Sequence, residues 1–266
     1  MTEMIEQLPL EVMSASEEMS APRQDQETLS REYVVAHANQ PATPPLGGDF
    51  YSAFALEGEA GDVAIVIGDV AGHGPEQALQ AEHMRALISD CITVGLSPAA
   101  TLSAVNAMIE PDPHFEGFGT VFVGRLEAGT GRLTYASGGH EPALIAAAGT
   151  RGPEAVEELV GTGPPVGAFP PAMARFEEHE ATLPPGGTLL LYTDGVSDAR
   201  PPQSRQEWLG LDRLKALFVR VAHLAPHRLV AVLLRRVSAF CRGQFHDDVA
   251  VLAIRRLVRP SARKKG

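Results

Sequence analysis

Cysteine is scarce in this chain of 266 residues: Cys91 and Cys241 are the whole supply. Two thiols exclude a disulfide framework and any cysteine-rich zinc module. Apolar runs are short, and none reaches the ~18 residues that a membrane-spanning helix requires, so no membrane is expected among the partners. The first residues carry Glu3 and Glu6 instead of a basic stretch ahead of an apolar one. On that pattern no secretory signal is expected. Positive charge is short too: 22 Lys and Arg stand against 33 Asp and Glu, a net charge of -11. A body this acidic repels nucleic acid, which is therefore not expected as a partner either. These absences together lead us to expect a reducing, cytoplasmic compartment. Hydrophobic residues at 44% leave ample material for a core and argue against wholesale disorder.

Charge is unevenly placed. Residues 1–31 hold seven acids and two bases, and residues 255–266 hold six bases and no acid. Three parts are therefore expected: a polar N-terminal arm (1–32), one folded domain (33–254) and a basic C-terminal tail (255–266). The tail is read as a solvated end, with contact to an acidic partner or RNA as the alternative. Strands are expected at 33–37, 50–56, 63–69, 120–127, 132–137 and 188–192, a short one at 144–147 and a last one at 249–254. Residues 175–182 read as an edge strand, and 149–172, rich in Gly and Pro, as a long surface loop. Helical spacing of apolar residues marks 75–95, 98–109, 209–221 and 226–241. Strands often follow one another directly, so the fold class is α+β, with antiparallel sheets flanked by helices.

Four acidic sites share one grammar. Asp49, Asp69, Asp194 and the pair Asp247 and Asp248 each lie beside an expected strand and are bracketed by Gly or a second acid. Any one of them reads most simply as a turn. Four of them gathered on one sheet edge would repel one another unless a cation sat among them. Oxygen-only ligands suit hard ions such as Mg²⁺ and Mn²⁺. Two such ions about 3.5–4 Å apart activate a water against a phosphoryl group.

The ordered blocks Gly47-Gly48-Asp49-Phe50-Tyr51, Gly68-Asp69-Val70-Ala71-Gly72-His73-Gly74, Gly138-Gly139-His140-Glu141-Pro142, Leu191-Tyr192-Thr193-Asp194-Gly195-Val196 and Asp247-Asp248-Val249-Ala250-Val251-Leu252 resemble the bacterial SpoIIE-type serine/threonine phosphatases. That group belongs to the metal-dependent, protein phosphatase 2C-like superfamily. The resemblance implies a four-layer αββα sandwich, two Mn²⁺ or Mg²⁺ ions, and hydrolysis of phosphoserine or phosphothreonine on proteins. The implied substrates are small anti-anti-sigma (STAS) proteins in partner-switching control of sigma factors. It also implies that Asp69 bridges both metals, that the Val70 carbonyl is a ligand beside it, and that Asp49, Asp194 and Asp247 complete the set. Asp248 stands where the family often has a second Asp, in an orienting role.

His73, four residues after Asp69, is the candidate proton donor to the leaving alkoxide, with ordering of its loop as the other reading. It opens a helix, whose N-terminus favours a bound phosphate. His140 reads as a buried, hydrogen-bonded loop histidine before a catalytic one. His246 is a weaker candidate for orienting Asp247, and Trp208 reads as packing. The helices at 75–95 and 98–109 leave the Asp69 loop, where a regulatory partner or a homodimer contact would gate the site. Two alternatives stay open: a non-catalytic scaffold that binds the same partners, and a phosphatase for small phosphomonoesters.

Overall fold

The computed structural model describes residues 26–40, 47–57, 61–72, 74–110, 112, 115–204 and 206–258. The described strands are β1 (Gln26–Thr28), β2 (Tyr33–Gln40), β3 (Asp49–Ala55), β4 (Val63–Val70), β5 (Gly119–Leu126), β6 (Arg132–Gly138), β7 (Ala143–Ala146), β8 (Glu157–Leu159), β9 (His179–Thr182), β10 (Thr188–Tyr192) and β11 (Val249–Arg256). The helices are α1 (Pro75–Thr93), α2 (Pro98–Ile109), α3 (Asp194–Ser197), α4 (Gly210–Val221) and α5 (Pro226–Phe240). One sheet runs β1-β2-β11-β10-β7-β8 and the other β3-β4-β5-β6-β9, with every neighbouring pair antiparallel.

Period-two alternation explains the layering. On β4, Val63, Ile65 and Ile67 face the space between the sheets, while Ala64, Val66 and Val70 face α1 and α2. On β11, Ala250, Leu252 and Ile254 face inward, while Val249, Val251 and Ala253 lie under α4 and α5. A strand buried on both faces reads as a continuous apolar run, as Val63–Ile67 does. Three cores between four layers result, and the expected αββα sandwich is the architecture observed. No helix among the described residues is long and apolar enough to cross a membrane.

Helix starts follow local chemistry. Pro75, Pro98 and Pro226 occupy first-turn positions, where a missing N–H costs nothing. Ser97 caps α2 by accepting a hydrogen bond from the Ala100 amide.

Some expectations need correction. The segment 149–172 is not a bare loop. It holds a short 3₁₀ turn (Pro153–Ala155) and β8, which pairs with β7 and sends Leu159 into the core between the sheets. Val166 then exchanges two backbone hydrogen bonds with Gly119, at 2.9 and 2.8 Å. The edge strand expected at 175–182 is only His179–Thr182. The first sheet begins at Gln26, inside the stretch read as an arm, and β11 extends through Arg255 and Arg256, both counted with the tail. Arg255 donates to Thr188 Oγ1 at 2.6 Å and to the Leu224 carbonyl at 2.8 Å. Arg256, buried, donates to the carbonyls of Thr130 (2.7 Å), Leu183 (3.0 Å) and Gly129. These arginines clamp carbonyl groups instead of dangling. Trp208 does not pack inward and is 53% exposed; Leu209 beside it takes the buried place.

Candidate metal centre at the strand ends

The two sheets bring their carboxylates to the same end of the sandwich. From the second sheet, Asp49 opens β3 and sits directly opposite Asp69 on β4. Directly opposed like charges destabilise a strand pair, so this register needs a compensating reason. From the first sheet, Asp194 follows β10 and opens α3, while Asp247 and Asp248 immediately precede β11. Two hydrogen bonds join the groups across the sandwich. Thr193 Oγ1 donates to Asp49 Oδ2 at 2.6 Å, and the Gly48 amide donates to Asp248 Oδ2 at 2.7 Å.

Electrostatics records the same convergence. Burial raises the Asp69 carboxyl to about 7, with added repulsion from Asp194, Asp247 and Asp248. Asp194 is raised to about 6, by burial and then by Asp247, Asp198 and Asp248. Asp49 is held well above the carboxylate range by burial and by Asp69, although the Thr193 hydroxyl pulls the other way.

Backbone approaches closely here. A Cβ on Gly48 would stand 2.5 Å from the Val70 carbonyl oxygen and 3.1 Å from Asp69 Oδ1. A Cβ on Gly195 would stand 1.9 Å from the Asp248 carbonyl oxygen. Glycine is required at both positions so that carboxylate and carbonyl oxygens can crowd together. Asp194 Oδ1 is buried with no hydrogen-bond partner. The donor set of carboxylates and one carbonyl therefore fits a hard divalent cation. As placed, no three Asp, Glu, His or Cys side chains among the described residues close around a single point. Asp49 and Asp248 are turned toward Thr193 and Gly48.

His73 lies outside the described residues. Val70 has a buried side chain, and its amide donates to the Gly48 carbonyl at 3.1 Å. His246 is exposed. His140 Nδ1 lies 2.9 Å from Thr120 Oγ1, and Thr120 is the strand partner of Asp69 on its other side. Burial pushes this imidazole down to about 4, against a weaker upward pull from the Tyr192 backbone. A folded-state pKa below the ordinary 6.5 means that its contribution is complete above pH 6.5 and is lost as pH falls toward 4. We expect wild type to exceed His140→Asn in melting temperature by a margin that shrinks between pH 7 and pH 4.5. Calorimetry of the two proteins across that range checks it, because effects of the carboxylate cluster are common to both.

Sequence reasoning passed over Thr193 and Glu141. Thr193 is fully buried; besides the bond to Asp49, its amide donates to the Ala250 carbonyl at 3.1 Å and the Ala250 amide donates to its hydroxyl at 2.8 Å. The available signal was its position directly before Asp194. Its hydroxyl does not cap α3 because it is spent on Asp49. Glu141 is half-buried, and its carboxyl is raised by burial and by Asp194 and Asp198, with a hydrogen bond to Ser197 opposing.

Residues 59–257 match the family model described as Stage II sporulation protein E (SpoIIE). The chain belongs to the SpoIIE family. It is 29% identical over 177 residues to phosphoserine phosphatase RsbP of Bacillus subtilis (strain 168), covering 65% of this chain and 42% of RsbP. The chain spans less than two thirds of the length of the curated relatives it matches. Among solved structures, the RsbU and RsbW domains of Rv1364c from Mycobacterium tuberculosis superpose with a TM-score of 0.72 at 25% identity, over 88% of this chain and 63% of that one. RsbX, solved in complex with magnesium, shares the fold at a TM-score of 0.63 and 10% identity, over 88% of this chain and all of RsbX.

Proposed function

We propose that the SpoIIE-family chain is a metal-dependent protein serine/threonine phosphatase. The observation that carries the reading is the meeting of Asp49 and Asp69 from one sheet with Asp194, Asp247 and Asp248 from the other, tied by the Thr193 and Gly48 hydrogen bonds. Asp49, Asp69, Asp194, Asp247 and the Val70 carbonyl would hold two Mn²⁺ or Mg²⁺ ions, with Asp248 orienting the set through Gly48. When bound, such ions supply positive charge against the phosphoryl oxygens and lower the pKa of the attacking water. Magnesium in the RsbX structure supports this ion class.

The chain's own groups do the rest. Thr193 fixes Asp49, which leaves the second oxygen of that carboxylate for the site. His140 stays neutral at pH 7 and, through Thr120, braces the strand beside Asp69. In the reaction the water oxygen bonds to phosphorus, the bond from phosphorus to the serine oxygen breaks, and that oxygen must gain a proton. His73 is the proposed donor.

The substrate we propose is a phosphorylated STAS-type anti-anti-sigma protein, within partner switching and under a regulatory partner or homodimer contact. RsbP, a phosphoserine phosphatase by name, supports the phosphoserine class. The test compares a phosphoserine-bearing STAS protein with p-nitrophenyl phosphate as substrates in Mn²⁺. We expect kcat/KM for the phosphoprotein to be ~10²-fold higher, equivalent to about 2.7 kcal/mol of recognition. Equal values would place the chain with phosphatases for small phosphomonoesters.

A further inference from the structure

Positive charge is concentrated in one layer of this acidic protein. Residues 210–242, which contain α4 and α5, hold seven bases and a single acid, Asp212. The rest of the chain holds fifteen bases and thirty-two acids. On α5 the core-facing positions are Leu229, Val230, Leu233, Leu234 and Val237. Arg228, Arg235 and Arg242 follow one another at intervals of seven, and all three are exposed. Arg228 and Arg235 are nearly two whole turns apart and so stand roughly 10 Å apart on the side opposite the core, while Arg242, with φ 52°, follows just beyond the helix end.

Among the described residues no carboxylate lies within ion-pair distance of these three. The contrast with their neighbours is plain. Arg213 pairs with Glu207 at 3.2 Å, and Lys215 pairs with Glu158 at 2.6 Å. Arg236 stands beside them with its guanidinium pKa lowered by burial and by the charges of Arg235 and Arg220. Exposed guanidinium groups with no carboxylate beside them present a positive face to a segment of negative charge.

The chain contains a segment of the complementary sign. Residues 1–25 hold six acids (Glu3, Glu6, Glu11, Glu17, Glu18, Asp25) and one base, Arg23. They join the fold at Gln26, the first residue of β1, whose strand partner is Ala36 on β2. Ala36 lies in the core beneath α5 together with Leu229 and Leu233. The junction is therefore at the layer that α5 covers. Even at a helical rise, 25 residues reach about 37 Å, against about 22 Å for the fifteen residues of α5.

We propose that the acidic segment of residues 1–25 docks on the basic face formed by Arg228 and Arg235 of α5 and by Arg242 just beyond its end. Guanidinium groups grip carboxylates with two parallel hydrogen bonds, which suits these arginines to a glutamate-rich segment.

Trp208 provides the reporter. It is the chain's one tryptophan and is half exposed. Its carbonyl accepts from Arg213 at 2.9 Å, and the Arg213 guanidinium lies 5.7 Å from the centre of the Phe240 ring at the end of α5. Both native cysteines are buried, so Ser14→Cys in the full chain takes a single acceptor dye for tryptophan emission. We expect strong energy transfer at low salt and a roughly twofold loss at ~1 M salt, where the screening length is about 3 Å. The triple variant R228E/R235E/R242E should show the same loss with unchanged circular dichroism. Adding E6K/E11K/E17K/E18K to it should restore transfer. Transfer unchanged in the triple variant, or not restored by the compensating set, would overturn the proposal. Loss of transfer on dilution with unlabelled protein would assign the basic face to a second copy and overturn it too. Tight binding of the labelled chain to phosphatidylserine vesicles or duplex DNA with transfer unchanged would also overturn it, since the basic face would then be open.

Discussion

Asp69→Asn and Asp194→Asn, each alone, are expected to lower Mn²⁺-dependent hydrolysis of p-nitrophenyl phosphate by about 10³-fold or more. The size follows from charge stabilisation of several kcal/mol at ~1.4 kcal/mol per tenfold in rate. Asp69 is central because it faces Asp49 across the β3–β4 pair and feels Asp194, Asp247 and Asp248 from the other sheet. Asn keeps the shape and removes the charge. The folded state should survive, and the two variants should not be additive, because both residues serve one site. Initial rates of the single and double variants across Mn²⁺ concentration check this. Retention of wild-type rate in Asp69→Asn would remove that carboxylate from the chemistry.

The second large effect concerns stability, and its sign is unusual. Most carboxylates in folded proteins are held below their ordinary pKa and stabilise at neutral pH. Here Asp49, Asp69 and Asp194 are raised, Asp69 to about 7 and Asp194 to about 6. Between the ordinary value of 3.8 and those raised values, the folded protein binds more protons than the unfolded chain. Stability in EDTA therefore falls as pH rises through about 6 for Asp194 and about 7 for Asp69, and Asp49 adds a loss of the same sign. Asp69→Asn should remove part of the penalty. In EDTA at pH 8 we expect the variant to melt roughly 3–6 °C above wild type, allowing for the partial exposure of Asp69. Saturating Mn²⁺ should reverse the order by stabilising wild type through mass action. Differential scanning fluorimetry with and without Mn²⁺ at pH 5.5 and pH 8 reads all four states. A wild type more stable than the variant in EDTA at pH 8 would contradict the clustered, uncompensated carboxylates described above.

The layering was legible from the sequence because β4 and β11 carry apolar residues on both faces and α4 and α5 on one. The candidate ligands were legible as Asp beside Gly at strand ends. Their meeting was not. It depends on the Asp49–Asp69 register and on a hydrogen bond between Gly48 and Asp248, 200 positions apart. Strands β1 and β8 were missed because three residues are too few to show a period. Arg255 and Arg256 looked like a solvated tail because composition does not reveal the backbone carbonyls they satisfy. Thr193 was hidden by its neighbour, since the Asp-Gly pair that follows it reads first as a turn. Trp208 reads as packing from its place before Leu209-Gly210, but Leu209 is the residue that is buried.

The measurement closest to the central claim is release of inorganic phosphate from a phosphoserine peptide by the full chain, in Mn²⁺ and in excess EDTA, beside calorimetric titration of Mn²⁺. The account predicts turnover in Mn²⁺, none in EDTA, and Mn²⁺ binding that weakens sharply in Asp69→Asn. Equal turnover in EDTA, or neither turnover nor Mn²⁺ binding in the wild type, would contradict it, and the second result would leave a scaffold that keeps the fold without the chemistry.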